Sequence, residues 1–253
     1  MREEWITSRK NPLLVQIRRL VSSRGARRSA GMFLGDGVKL LEEALKWGAP
    51  LETVVYSEGL DGPELPPEVR TVRVPEDVMA SISPMESPQG ALFLCRMWDT
   101  APPPRLEGGR YLVLDGLQDP GNVGTIWRTA DALEADGLLL VHGCADPFGP
   151  KVVRATMGAC FRLPVWETGP ERLAGLLERS GLALYATALR EDTEDIKTAD
   201  LSRSAVVIGS EGRGVSPELL AMSQRALKIP MRERCESLNA AAAAAVVLWE
   251  MGR

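Results

Sequence analysis

Histidine is nearly absent from this chain: His142 stands alone among 253 residues. Any Ser-His-Asp triad, Cys-His pair or His-rich metal centre would have to run through that one position. His142 closes an apolar run, Leu138 to Val141, with no matching partner nearby in sequence. It reads as a strand-end residue, and no metal is expected. Cysteine is scarce as well: Cys95, Cys144, Cys160 and Cys235 are spaced like neither a metal knuckle nor a CxxC redox pair. Long apolar runs are also missing. The longest, Ala240 to Trp249, has ten residues, well short of the roughly 18 that a membrane span needs. The start, Met1-Arg-Glu-Glu-Trp5, lacks the apolar stretch of a signal peptide. These absences point to a reduced, cytoplasmic, soluble protein with no membrane role. What is present, 45% apolar and 25% charged residues, is close to the globular average and long enough for one or two cores.

The charge is unevenly spread. Residues 1–30 carry eight basic side chains (Arg2, Arg9, Lys10, Arg18, Arg19, Arg24, Arg27, Arg28) against Glu3 and Glu4, a balance of +6 within a chain of net charge −4. A basic end on an acidic body suits an anionic partner, nucleic acid above all, or else a solvated helix face.

Asn11-Pro12 has the form of a helix cap followed by proline in the first turn, and Leu13, Leu14, Ile17, Leu20 and Val21 then fall at helical spacing. After Ser22 to Arg28, the short apolar runs Met32–Leu34, Thr53–Tyr56, Thr71–Val74 and Ala91–Leu94 alternate with helical patterns at Val38–Trp47 and Glu76–Ile82. This predicts a small α/β domain over 1–98. Residues 99–105, with Ala101-Pro-Pro-Pro104, form a stiff linker. Over 106–253, strand candidates at Tyr111–Leu114, Leu138–Val141, Leu163–Trp166, Leu182–Ala186, Ala205–Ile208 and Leu227–Ile229 alternate with helical patterns at Val123–Leu133, Lys151–Met157, Pro170–Ser180 and Pro217–Ser223, with a last one at Asn239–Met251. Such alternation without hairpin turns means βαβ units and a mostly parallel sheet, whose ligands bind outside the carboxyl ends of the strands.

Three loops follow those ends. The first, Asp115 to Ala130, uses proline and glycine to deliver Asn122 as a cap for the next helix. Arg128 lies six residues further on, either free for a phosphate or ribose or paired with Asp131 or Glu134. The second, Ile208-Gly-Ser-Glu-Gly-Arg-Gly214, reads GxxGxG, which is not the dinucleotide order, and no GxxxxGK[ST] occurs. Its glycines admit either a tight turn or close main-chain approach to a ligand. The third, Pro230 to Asn239, runs into six alanines, and Ser237 and Asn239 stand at the mouth of that helix as candidate caps.

In this order the segments Asn122-Val-Gly-Thr-Ile-Trp-Arg-Thr-Ala130, Ile208 to Gly214, and Ile229-Pro-Met231 with Ser237-Leu-Asn239 resemble the SpoU/TrmH branch of the SPOUT superfamily, the RNA ribose methyltransferases. Lys151-Val-Val-Arg-Ala-Thr-Met-Gly158 is similar to a further family segment. Ile6 to Pro12 and Gly35-Asp-Gly37 resemble the family's small RNA-binding domain. The resemblance implies an α/β protein with a small N-terminal RNA-binding domain and a C-terminal parallel-sheet domain tied in a deep trefoil knot. It implies methyl transfer from S-adenosylmethionine to a ribose 2′-hydroxyl in structured RNA, with 23S rRNA favoured over tRNA by the N-terminal extension. The cofactor would be held at Gly209, Ile229 and Leu238, with Thr187 and Glu211 in lesser roles. A homodimer would form through the C-terminal domain, where Trp127, usually aliphatic in the family, would adjust the contact.

The resemblance also implies that Arg128 acts on the ribose hydroxyl, with Asn122, Ser237 and Asn239 keeping ribose and loops in register. A guanidinium stays charged near neutral pH and makes an awkward base, so a phosphate clamp that orients the hydroxyl is the milder reading. The basic residues expected to face RNA are Arg9, Lys10, Arg18, Arg19, Arg24, Arg27, Arg28 and Arg154. Two other classes remain: a non-catalytic RNA-binding relative, which would not bind the cofactor, and a nucleotide-using small-molecule enzyme, which would lack salt-sensitive RNA affinity.

Overall fold

The computed structural model describes residues 4–188, 193–232, 234 and 237–253. Cys235 and parts of the loops after Thr187 and Pro230 lie outside the described residues. Among those described, no helix is long and apolar enough to cross a membrane.

The chain divides into two compact units. One comprises the chain up to Trp98 together with Asp146–Phe161; the other comprises Asp99–Ala145 and Arg162–Arg253. The first unit begins with β1 (Glu4–Trp5) and α1 (Pro12–Ser22). Asn11 caps α1 as the sequence predicts, its Oδ1 accepting from Leu13 N at 2.9 Å, and Leu13, Leu14, Ile17 and Leu20 are buried. The stretch Ser22–Arg28, to which the sequence pattern assigns no element, falls largely in a second helix, α2 (Arg24–Ala30). Ser23 both ends α1 and caps α2, and Gly31 closes it in a left-handed conformation. There follow β2 (Met32–Asp36), α3 (Val38–Lys46), β3 (Leu51–Ser57), β4 (Arg70–Val74), α4 (Glu76–Ala80) and β5 (Ala91–Arg96). The sheet order is β1-β4-β3-β5-β2, with β5 antiparallel to β2 and β3 and the other pairs parallel. Its core packs Leu14 and Ile17 with Leu34, Val55, Val72 and Leu92.

The second unit contains β6 (Arg110–Asp115), α5 (Pro120–Ala132) and β7 (Gly137–Val141). The helix α6 (Pro150–Ala155) then falls in the segment that packs with the first unit. The chain continues through β8 (Val165–Glu167), α7 (Pro170–Ser180), β9 (Ala183–Thr187), β10 (Glu194–Asp195), β11 (Ser204–Gly209), α8 (Pro217–Met222), β12 (Arg225–Lys228) and α9 (Ala240–Met251). Seven strands in the order β10-β12-β9-β11-β6-β7-β8 form a sheet whose pairs are all parallel. Every strand's carboxyl end therefore lies on one edge. Strand boundaries differ from the sequence reading by a residue or two at most sites, the usual uncertainty of an element's end.

One boundary needs correction. Sequence places 106–253 in a single domain, but Asp146–Phe161 packs with the N-terminal unit. Asp146 receives the buried Arg27 guanidinium, at 2.9 Å from Nε and 2.6 Å from Nη2. Phe148 packs against Phe33 and Trp98 with ring centroids 5.2 and 4.9 Å apart. These partners lie 50 or more residues away in the chain, beyond the reach of local periodicity.

Candidate active site

The site is built from the ends of β6, β9, β11 and β12. A cavity of about 280 Å³ is bounded by Thr187 and Ala188 after β9, by Ile208 to Glu211 with Gly214 and Val215 after β11, by Leu227, Ile229 and Met231 around the end of β12, and by Ser237, Leu238, Ala240 and Ala243 at the start of α9. All five residues expected to hold a cofactor, Thr187, Gly209, Glu211, Ile229 and Leu238, line it. The walls are mostly apolar, with few polar side chains, the usual character of a small-molecule site.

Gly209 shows why the second loop is glycine-rich. A Cβ there would lie 2.1 Å from the carbonyl carbon of Gly214 and 2.2 Å from Val215 N. The loop folds back on itself through paired bonds between Ser210 and Gly214 (3.1 and 2.8 Å), so only glycine fits beneath it. The Thr187 hydroxyl donates to Val207 O at 2.8 Å. That leaves chiefly its main chain and methyl group for a ligand.

Side-chain hydrogen bonds link the three predicted loops. Asn239 Nδ2 donates to Asn122 Oδ1 at 3.1 Å, and Asn122 Nδ2 donates to a Glu211 carboxylate oxygen. Asn239 also caps α9, its Oδ1 accepting from Ala241 N at 2.9 Å and Ala242 N at 3.3 Å. Residues 117 positions apart in the chain are thereby held in register. Ser237 lines the cavity, and the cap of α9 is Asn239.

Asn122 itself is not a cap. The cap of α5 is Asp119, whose Oδ1 accepts from Asn122 N at 2.7 Å, with Pro120 opening the helix. The Asp-Pro pair is itself a sequence signal for a helix start at this point. Starting α5 three residues earlier places Asn122 within its first turn and frees its amide for Asn239 and Glu211.

Arg128, on the same helix, is exposed and has no side-chain partner among the described residues. The carboxylates that would have paired with it are engaged elsewhere: Asp131 with Arg162 at 2.7 Å and Glu134 with Arg110 at 3.7 Å. Trp127 is fully buried, its indole N–H donating to Leu163 O at 3.0 Å. It belongs to its own chain's core, which corrects the expectation that it adjusts a dimer contact.

The basic residues of the first unit differ in availability. Arg27 is 5% exposed and spent on Asp146 and on Leu20 O; it is structural, which corrects its assignment to RNA. Arg9 pairs with Asp77 at 2.7 Å, and Arg18 donates to Arg9 O at 2.5 Å. Arg24 lies 4.0 Å from Asp146, and the Arg28 guanidinium sits 5.8 Å above the Phe148 ring. Lys10 and Arg19 are exposed without a side-chain partner among the described residues, and Arg154 is exposed on α6.

Comparison with known proteins bears on this arrangement. The SpoU rRNA Methylase family matches residues 109–249, and an MRM3-like substrate binding domain matches residues 11–92. The 23S rRNA (guanosine(2553)-2′-O)-methyltransferase RlmP of Bacillus subtilis is 32% identical over 97% of this chain and 98% of its own. An AdoMet-bound rRNA methyltransferase from Sinorhizobium meliloti is 30% identical with a TM-score of 0.86, covering 98% of this chain and 97% of its own. A tRNA (guanosine(18)-2′-O)-methyltransferase of Thermus thermophilus is 36% identical, but over only 56% of this chain and 73% of its own.

Proposed function

We propose, from the premise that the chain belongs to the SpoU rRNA methylase family, that its substrate is 23S rRNA. The chain is an S-adenosylmethionine-dependent RNA 2′-O-ribose methyltransferase. The choice of rRNA is supported by coverage: the rRNA enzyme RlmP aligns along the whole chain, whereas the tRNA enzyme aligns over little more than half of it.

One observation carries the assignment of roles. The cavity lined by all five expected cofactor residues shares Glu211 with the Asn239–Asn122–Glu211 hydrogen-bond chain, and the helix that carries Asn122 also carries Arg128, which has no side-chain partner among the described residues. The chemistry of the cavity fits the cofactor: apolar walls for an adenine ring and the methylene groups of its side chain, and a glycine turn that leaves main-chain groups open to it. On this reading Gly209, Ile229 and Leu238 hold it, with Thr187 and Glu211 at the margin. S-adenosylmethionine supplies an electrophilic methyl group on its sulfonium.

The protein's own part is positioning. Arg128 does not line the cavity; its proposed part is to grip a phosphate of the RNA in a forked geometry and so orient the adjacent ribose hydroxyl. Asn122 and Asn239 hold the first and third loops together, and Ser237 offers its hydroxyl at the rim. Fixing a near-attack geometry is worth about 7 kcal/mol or more in well-oriented systems, and on this reading the proton of the ribose hydroxyl leaves to the RNA phosphate or to water as the oxygen takes the methyl group from sulfur.

Two finer readings accompany this one. In the sheet, β12 returns to the far side of β9 from β11, and α9 then packs back against α5 and β11. That return path supports a C-terminal segment threaded through the preceding loop as a trefoil knot. Trp249 on α9 is 63% exposed on a helix that is apolar apart from Glu250, which supports a homodimer through this unit. Sedimentation should show the native chain as a dimer and Trp249→Glu as a folded monomer; an unchanged dimer would rule out this face.

Methyl transfer from labelled S-adenosylmethionine to unmodified large-subunit rRNA and to total tRNA, each digested to nucleosides, tests the function. A 2′-O-methyl nucleoside is expected from rRNA and lost in Arg128→Ala. Label in tRNA alone would overturn the substrate choice. Failure to bind S-adenosylmethionine would leave an RNA-binding relative.

A further inference from the structure

His142 takes no part in the site described above, yet it is held at both ring nitrogens. Its Nδ1 lies 2.6 Å from Asp115 Oδ1 and its Nε2 lies 3.3 Å from Glu218 Oε2. The Asp115 side chain is 3% exposed, and its second oxygen, Oδ2, accepts from Ser216 N at 2.6 Å. Asp115 ends β6, opposite Val141 at the end of β7 on one side and Gly209 at the end of β11 on the other. Ser216 is the cap of α8, and Glu218 is in its first turn. The backbone of His142 is left-handed, with φ of 54°, a strained setting for a non-glycine residue.

The loop between Gly209 and Ser216 forms one wall of the cavity. It leaves β11 at one end. At the other it is fastened to the sheet by the Asp115 carboxylate and, through His142, by Glu218. We infer that His142 is a positioning residue: with Asp115 it ties the far end of the cavity-wall loop to the ends of β6 and β7, and so sets the affinity for the adenosyl cofactor. This rests on the proposed cofactor role of the cavity.

The chemistry gives the tie a pH dependence. An imidazolium donates to both carboxylates at once, whereas a neutral ring donates to one and turns a lone pair toward the other. The groups facing the ring are Asp115 from β6 and Glu218 from α8. Hydrogen bonding to Asp115, aided by Glu218 and opposed by burial, holds the His142 pKa above its ordinary value. Nearby Cys144, whose thiol burial pushes up to about 11, does not compete in the neutral range. A raised histidine pKa means that the tie is complete below about pH 6.5 and is lost as pH climbs through the raised value.

Two variants separate the parts. His142→Asn keeps a residue that tolerates the left-handed turn and can still donate to Asp115, but it does not titrate and cannot reach Glu218. His142→Ala removes both arms. Amide-exchange protection of residues 209–219, measured from pH 6 to 9 without cofactor, is read alongside calorimetric affinity for S-adenosylhomocysteine. The native chain should lose protection and affinity, each about three- to tenfold, as pH rises. In His142→Ala both should stay low throughout, and in His142→Asn they should be intermediate and flat. Native-like protection and pH dependence in either variant would overturn the tie. Exchange that follows the expectation in a chain that never binds S-adenosylhomocysteine would uphold the tie and defeat the cofactor reading instead.

Discussion

On the proposed reading Arg128 bears the chemistry most directly, and its exposed setting makes it testable without disturbing the fold. It is exposed and has no side-chain partner among the described residues, since Asp131 and Glu134 are taken by Arg162 and Arg110. Arg128→Ala should lower kcat by a hundredfold or more while moving the melting temperature little, because exposed substitutions away from special features stay within about 0.5 kcal/mol. Arg128→Lys should recover little, since a lysine presents a point charge rather than a planar fork. Single-turnover methyl transfer on rRNA checks both. A lysine variant near native activity would sink the bidentate clamp. At this scale part of the candidate site is legible in the sequence: Asn122, Glu211 and Asn239 stand out in loops up to 117 residues apart, and hydrogen bonds join them. The cap of α5 is legible too, in Asp119-Pro120; what is not legible is that Asp115 meets His142 and Ser216 through contacts that span 27 and 101 residues. No local pattern marks a pairing of that kind.

Among the elements, those with an amphipathic pattern were legible and those defined by distant partners were not. α1 and α7 announce themselves by apolar spacing and by Pro at the first turn. α2 does not: Arg24 to Ala30 has no apolar stripe, and its one buried side chain is Arg27. What makes it worth forming is the Arg27–Asp146 pair, with side chains 6% and 10% exposed, which also fixes the segment that carries α6. Removing one member of a buried pair leaves the other charge uncompensated, at a cost of about 3–5 kcal/mol. Asp146→Ala should therefore lower stability by that amount in urea unfolding, with a first transition confined to the N-terminal unit. Arg27→Ala should cost no more than the same. A loss below about 1 kcal/mol for Asp146→Ala would mean that the pair is solvated in solution and that α2 is held by other contacts.

For the whole molecule, the net charge of −4 hides how RNA would be held. An acidic protein does not attract a polyanion by its total charge, so binding must come from a few cations left free by the fold. The structure narrows the basic N-terminus sharply. Arg27 is buried, Arg9 is paired with Asp77, and Arg24 and Arg28 lean on Asp146 and Phe148. Lys10 and Arg19 remain, exposed and without side-chain partners among the described residues. Each phosphate neutralised releases counterions, so the logarithm of RNA affinity falls against the logarithm of salt with a slope that counts contacts, about 0.7 to 0.9 for each one. Lys10→Ala and Arg19→Ala should each reduce that slope by roughly one contact and weaken binding uniformly across RNA sequences. Affinity for S-adenosylhomocysteine should be unchanged, because neither residue lines the cavity. Arg27→Ala reports differently: lost stability with an unaltered slope once the remaining folded fraction is counted. If Arg27→Ala alone changed the slope, the buried pair with Asp146 would have to open on RNA. The exposed lysine and arginine would then be bystanders.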